Sequence, residues 1–293
     1  MNTNDAIRLM RLRQWTKNLA VFAAIVFSGN LFDPRLLSIT ALAFVSFCLV
    51  SSSLYALNDV LDAEKDREHP VKRDRPVASG RMSKSIALMI SAVLLVFGVA
   101  LGFVVGLPFL AVLAGYLVLQ LLYVFALKNI AIVDMLAIAA GFVLRAVAGA
   151  FAIAVPVSPW LILCTGLLAL FLAAAKRRHE LVLLRELSVG HRPVLAEYSA
   201  ELLDSFMVTL SAATVTSYAL YTFFETRAPN HLMMLTIPFV IYGVLRYQML
   251  VLSKGSGGRP EDVLLGDGPI LTDIVLWMLS AVAVLYLAPR FFG

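Results

Sequence analysis

Nine stretches of this 293-residue chain are each apolar for about the length a helix needs to cross a bilayer, roughly 20 residues. They are residues 15–32, 36–57, 86–106, 108–127, 130–155, 160–175, 206–224, 231–252 and 270–288. Segments of this kind, recurring from end to end, leave the chain little freedom. The expected fold is an all-α polytopic membrane bundle of about nine transmembrane helices, one integral-membrane domain over residues 1–293. With 60% hydrophobic and 15% charged residues, against about 25% charged in ordinary soluble domains, a soluble fold is excluded. A net charge of +5 could hint at nucleic acid, but basic loops on one side of a membrane protein give the same excess, so no nucleic-acid partner is expected. Cys48 and Cys164 both fall inside apolar stretches and read as small core residues. The opening residues are polar and basic with no small-residue cleavage site behind an apolar run, so no cleavable signal is expected.

Basic residues orient such a bundle, because loops that stay in the cytoplasm are enriched in Lys and Arg. If the N-terminus lies inside, the cytoplasmic side carries all but four of the 24 Lys and Arg. Arg35, Arg227 and Arg290 fall on the far side and Arg145 within a span. The turns around 106–108 and 156–159 are short and uncharged, as translocated hairpin loops are. The expectation is N-in, C-out, with polar cytoplasmic loops at about 58–84, 176–205 and 253–269 and the active site among them.

The first of these loops, NDVLDAEKDREHPVKRDRPVASG over 58–80, concentrates carboxylates, an amide and bases where a membrane helix ends. Continued at 100° per residue, that helix places Tyr55, Asn58, Asp62 and Asp66 on one stripe. Hard oxygen ligands at that spacing suit Mg²⁺, which takes few protein carboxylates and completes its shell with substrate phosphate. Asn58, Asp62 and Asp66 are therefore candidate metal ligands and catalytic residues. The bases beyond them, Lys72, Arg73 and Arg75, suit the rest of an anionic substrate. A merely solvated basic loop is the competing explanation.

Other charged residues are expected on the same side. Arg13-Gln14-Trp15-x-Lys17-Asn18 opens the first span and reads either as an interfacial anchor or as a ligand-binding segment. Tyr123 and Lys128 close the fourth. In the fifth, Asp134 and Arg145 share one stripe of an apolar helix, with Arg145 about 16 Å deeper. That distance is too great for an ion pair. A charge at such depth faces a polar cavity or a partner, so Arg145 is a candidate site-lining residue. Lys176 and Glu180 stand at i, i+4 where the sixth span ends, either as a helix-surface pair or as a second charged motif mirroring the first. Arg259-Pro260-Glu261-Asp262 reads as a helix start.

At these residues the sequence resembles the UbiA superfamily of intramembrane prenyltransferases. The superfamily's first mark is intact as Asn58-Asp59-x-x-Asp62-x-x-x-Asp66. Its second, an Asp-x-x-x-Asp that holds another metal on a prenyl diphosphate, is replaced by Lys176-x-x-x-Glu180. Over essentially the whole chain the resemblance is fuller to the decaprenyl-phosphate phosphoribosyltransferase branch. It runs through Arg13-Gln14-Trp15-x-Lys17-Asn18, His69-Pro70-x-Lys72-Arg73-x-Arg75-Pro76, Leu127-Lys128, Asp134, Gly141-Phe142-x-Leu144-Arg145-x-x-x-Gly149, Lys176-Arg177-x-x-Glu180 and Pro260-Glu261-Asp262.

That resemblance implies Mg²⁺-dependent transfer of a 5-phosphoribosyl group from phosphoribosyl pyrophosphate to a polyprenyl phosphate, with release of pyrophosphate. It implies a multi-pass protein of a bacterial inner (cytoplasmic) membrane. Its implied substrate ligands are Lys17, Tyr55, Lys72, Arg73, Arg75, Lys128, Arg145, Lys176 and Glu180. The residue inventory is compatible: a donor with phosphate at both ends needs many cations, and an acceptor that is already an anion needs no strong base. Two alternatives stand beside it. One is a conventional transferase moving a prenyl group from prenyl diphosphate to an aromatic or lipid acceptor, against which Lys176 argues. The other is a transporter with a basic vestibule, for which no paired interrupted helices are visible. Homo-oligomeric state stays open.

Overall fold

The computed structural model describes residues 3–68, 72–186, 193–254 and 260–292. Among them, eight helices are long and apolar enough to cross a membrane: Pro34–Leu61, Lys84–Val105, Leu107–Phe125, Val133–Ala152, Pro159–Leu183, Ala200–Phe224, Pro229–Ser253 and Gly268–Phe291. The chain is an all-α polytopic membrane protein. Its helices are α1 (Thr3–Met10), α2 (Ala23–Phe27), α3 (Pro34–Leu61), α4 (Ala63–Glu68), α5 (Lys84–Val105), α6 (Leu107–Phe125) and α7 (Val133–Ala152). They continue with α8 (Pro159–Glu186), α9 (Ala200–Phe224), α10 (Ile237–Lys254), α11 (Pro260–Gly266), α12 (Gly268–Val282) and α13 (Ala288–Phe292). The chain divides into two compact units: Met1–Ile25, Leu31–Leu127 and Leu144–Pro156 in one, Val26–Asn30, Lys128–Val143 and Val157–Gly293 in the other.

In the first unit, small residues let helices approach closely, as interfaces within lipid require. Asp33 caps α3 by accepting from the Arg35 and Leu36 amides, with Pro34 at the first helical position. Ser46 on α3 donates to the Gly98 carbonyl of α5 at 2.7 Å, and Ser53 and Ser91 hydrogen-bond at 3.0 Å. An aromatic core forms where Phe47 meets Phe109 and Tyr116, with ring centroids 5.7 and 5.2 Å apart.

The segment 15–32, expected as the first transmembrane α-helix, takes another form. Residues Leu12–Phe22 wind as a 3₁₀-helix, followed by the five-residue α2 and a turn at Gly29, whose φ is +80°. Runs of 3₁₀ winding this long are uncommon, so something must hold this one. With three residues per turn, Trp15, Asn18 and Val21 fall in one row. Trp15 donates to Ser52 at 3.0 Å and Asn18 to Ser51 at 3.1 Å, both on α3. The Val21 carbonyl lies so close to Gly149 of α7 that a Cβ there would sit 2.0 Å from its oxygen. Eleven residues then rise about 22 Å, against about 16 Å in an α-helix.

The second unit has its own core, with Phe171 and Tyr247 packed edge to face at 5.6 Å among Met135, Leu195, Leu203, Met207 and Ile270. Two expectations shift here. The sixth helix runs on through Lys176 and Glu180 to Glu186, so that motif lies on a helix and not in a loop. The seventh begins at Ala200, capped by Ser199 accepting from the Leu202 amide at 3.1 Å. In both cases the polar residues that ended the apolar count find partners: Arg178 binds Asp204 of α9 and the Val251 carbonyl at 3.3 Å. Pro260 does begin α11, with Glu261 and Asp262 in its first turn.

Candidate active site

In the first unit the Asn58–Asp66 stripe survives a helix break. Asp62 is the C-cap of α3 and α4 begins beside it, yet the Asp62 amide donates to Asn58 O at 2.9 Å and the Asp66 amide to Asp62 O at 2.8 Å. The four-residue register therefore carries through. Tyr55, Asn58 and Asp62 are half-buried and Asp66 is buried. The Asp66 carboxylate accepts from Arg75 at 2.5 Å, so this expected metal ligand is already engaged by a guanidinium. Arg75 also lies 3.1 Å from Asp59 Oδ1, the same buried oxygen that Arg11 contacts. Arg11 in turn lies over the Tyr55 ring, 5.1 Å from its centroid. Burial and the neighbouring Arg11 pull the Arg75 guanidinium below its ordinary pKa, while Asp59 and Asp66 hold it up. Arg11 and Arg75 thus share one buried carboxylate, Asp59, and Arg75 holds Asp66 as well.

Lys17 donates to Gln14, three residues earlier and therefore one 3₁₀ turn away. Arg145 is buried and donates to Asn18 Oδ1 and to the Tyr116 hydroxyl, each at 2.7 Å, with its guanidinium 4.6 Å from the Tyr116 ring centroid. Its partners tie α6 and α7 to the 3₁₀ segment. Lys72 is half-buried and Arg73 exposed in the short turn Lys72–Asp74. His69 and Pro70 of the same motif, with Arg192 and Arg259, lie outside the described residues, as do the side chains of Arg185 and Lys254.

In the second unit Asp134 finds its partner 43 residues away. Arg177, the largest of the fully buried side chains, binds Asp134 through Nε and Glu180 through a terminal nitrogen. Tyr198 donates to the other Asp134 oxygen at 2.9 Å. Burial pushes the Tyr198 hydroxyl up to about 12. Glu180 is thus engaged by Arg177, and Lys176 and Lys128 are half-buried. Among the described residues, no group of three or more His, Cys, Asp or Glu is arranged to hold a metal ion. Arg11, Asp59, Tyr116 and Tyr198 carried no role of their own in the sequence. Their partners are 16 to 66 residues away, beyond the reach of any local spacing rule.

Comparison with known proteins identifies the family. The model of the UbiA prenyltransferase family matches residues 19–182. A decaprenyl-phosphate phosphoribosyltransferase of Mycolicibacterium smegmatis is 36% identical over 96% of this chain and 92% of its own length. One from Mycobacterium tuberculosis is 35% identical over 93% and 91%. The solved structure of a UbiA homolog from Archaeoglobus fulgidus bound to DMAPP and Mg²⁺ superposes with a TM-score of 0.74. It shares 20% identity, with 96% of this chain and 99% of that one covered. The apolar bundle, the Asn58–Asp66 stripe and these matches lead to one conclusion: the chain belongs to the UbiA prenyltransferase family.

Proposed function

We propose that this chain transfers the 5-phosphoribosyl group of phosphoribosyl pyrophosphate to a polyprenyl phosphate, releasing pyrophosphate. The observation that carries the reading is the engaged second motif. Glu180, its one carboxylate, is held by Arg177, and Lys176 stands where family members that bind two metals on a prenyl diphosphate carry the other acid. A site of that composition suits a phosphate-rich donor better than a second metal. The relatives' decaprenyl-phosphate phosphoribosyltransferase activity, at 34–36% identity over most of the chain, supports the same choice.

Asn58 and Asp62, one helical turn apart, fit a single Mg²⁺, which needs few protein oxygens when phosphate supplies the rest. Bound there, the ion supplies positive charge to the departing pyrophosphate. Asp66 supports them by holding Arg75. Lys17, Tyr55 and Lys128 bind the donor. Lys72, Arg73, Arg75 and Lys176 take its remaining phosphate oxygens, since guanidinium forks match phosphate geometry. Glu180 orients donor ligands from the second motif. Arg145 brings a cation deep into the first unit and, through Asn18, holds the segment that carries Lys17. The lipid phosphate oxygen attacks the anomeric carbon as the bond to pyrophosphate breaks, through an oxocarbenium-like transition state. The isoprenoid tail lies along spans open to the bilayer.

The same reading treats 1–293 as one transferase domain in a bacterial inner membrane, with nine crossings, N-in and C-out, and the site on the cytoplasmic side. The 3₁₀ segment and α2 together rise about 30 Å, the hydrocarbon thickness, and so can supply the ninth crossing. A labelled-transfer assay on membranes expressing the chain tests the function. With phosphoribosyl pyrophosphate, Mg²⁺ and a polyprenyl phosphate, a labelled lipid that disappears with EDTA is expected. Transfer from a prenyl diphosphate to an aromatic acceptor, with none to polyprenyl phosphate, would overturn it.

A further inference from the structure

We infer that Tyr198 is a positioning residue for the transfer, holding a strained turn beside Lys128 and the buried ion network that ends at Glu180. It lies beyond the 19–182 stretch that the family model covers. Its functional weight rests on Lys128 binding the donor and Glu180 orienting donor ligands, as proposed above.

The turn is unusual. Ile132 has φ +66°, and the Val133 amide closes on the Ala131 carbonyl at 2.7 Å, two residues back. This is a γ-turn with positive φ, a rare and strained form, and it centres on a β-branched residue for which that φ is a genuine outlier. Half-exposed, Ile132 gains little from burial that could offset the strain. Such conformations persist only where surrounding contacts over-determine them, and they gather at functional sites.

What over-determines this one is the Tyr198 hydroxyl. It accepts from the Ile132 amide at 2.5 Å and donates to Asp134 at 2.9 Å. Asp134 binds Arg177, and Arg177 binds Glu180. Asp134 and Arg177 are fully buried and Tyr198 nearly so. One hydroxyl therefore fixes the turn that follows Lys128 and, two ion pairs on, the carboxylate of the second motif. With its pKa pushed up to about 12, the hydroxyl keeps the proton it donates throughout the physiological range.

Tyr198→Phe removes one oxygen and leaves the ring in its core. In the full-length chain, reconstituted in proteoliposomes, the KM for phosphoribosyl pyrophosphate should rise about tenfold, the effect of stranding buried polar partners. The KM for polyprenyl phosphate should not change. Adding Ile132→Gly should bring the donor KM back toward wild type, because glycine takes a positive φ without strain. An unchanged donor KM in Tyr198→Phe would overturn the inference. So would a lower melting temperature with both KM values intact, or a donor KM that Ile132→Gly fails to rescue. Failure of the functional reading looks different: wild-type membranes would then make no labelled lipid from phosphoribosyl pyrophosphate. Amide exchange at Ile132 then decides, since it needs no substrate. Faster exchange in Tyr198→Phe supports the hydroxyl as the clamp, and equal exchange overturns it.

Discussion

Gly149→Ala should be the most damaging single-methyl change in the first unit. The added Cβ would lie 2.0 Å from the Val21 carbonyl oxygen and 2.9 Å from its carbon. Ordinary contact needs more than 3 Å, so α7 or the 3₁₀ segment must move by over 1 Å, with backbone on both sides and no flexible side-chain end to yield. Overpacking costs about 1–3 kcal/mol. Displacing the segment also stretches the Arg145–Asn18 hydrogen bond, now 2.7 Å, a charged bond worth about 1.5–3 kcal/mol. The expected loss is about 3–5 kcal/mol. Two controls grade the effect. Gly98→Ala meets the Val50 Cγ2 at 2.7 Å, a side-chain end that can turn aside, and should cost less. Gly115→Ala meets nothing within 4 Å and should stay within about 1 kcal/mol of wild type. Thermal unfolding of the three variants in detergent micelles measures the series. Gly149→Ala melting with Gly115→Ala would refute the close approach, and with it the idea that this glycine holds the segment carrying Lys17.

Asp62→Ala should abolish turnover and remove its sensitivity to EDTA; near-normal transfer by that variant would sink the metal assignment. Arg177→Met takes the guanidinium from the fully buried Asp134 and should cost about 3–5 kcal/mol, whereas Arg177→Met with Asp134→Leu should be milder, because that buried carboxylate is then gone too. Chemical denaturation of single and double variants gives the comparison. Tyr198, with its hydroxyl raised from 10.0 to about 12 in the folded chain, adds stability that is fully present below about pH 10 and lost as pH rises toward 12. Alkaline melts of wild type and Tyr198→Phe should therefore converge over that window; parallel curves would contradict the shift.

The sequence was legible wherever one residue type, repeated at one period, carried the information. Apolar stretches of bilayer length disclosed eight of the long helices, because a membrane tolerates few alternatives to a helix. The Asn58-Asp62-Asp66 spacing disclosed a stripe that the backbone preserves across the α3–α4 break. Segment 15–32 misled, since hydropathy is blind to winding. Its 3₁₀ form depends on Ser51 and Ser52 of α3 and on Gly149 of α7, which the segment's own residues do not encode.

Pairing of charges belonged to tertiary structure as well. From sequence, Asp134 and Arg145 are two charges on one helix stripe and Glu180 stands one turn from Lys176. In the fold Arg145 is bound to Asn18 and Tyr116, and Arg177 takes both Asp134 and Glu180. Which residues must leave lipid is written in their side chains, because desolvating a charge is costly wherever it sits. Which partner satisfies each charge is decided by distances between residues far apart in the chain, and only the packed helices set those.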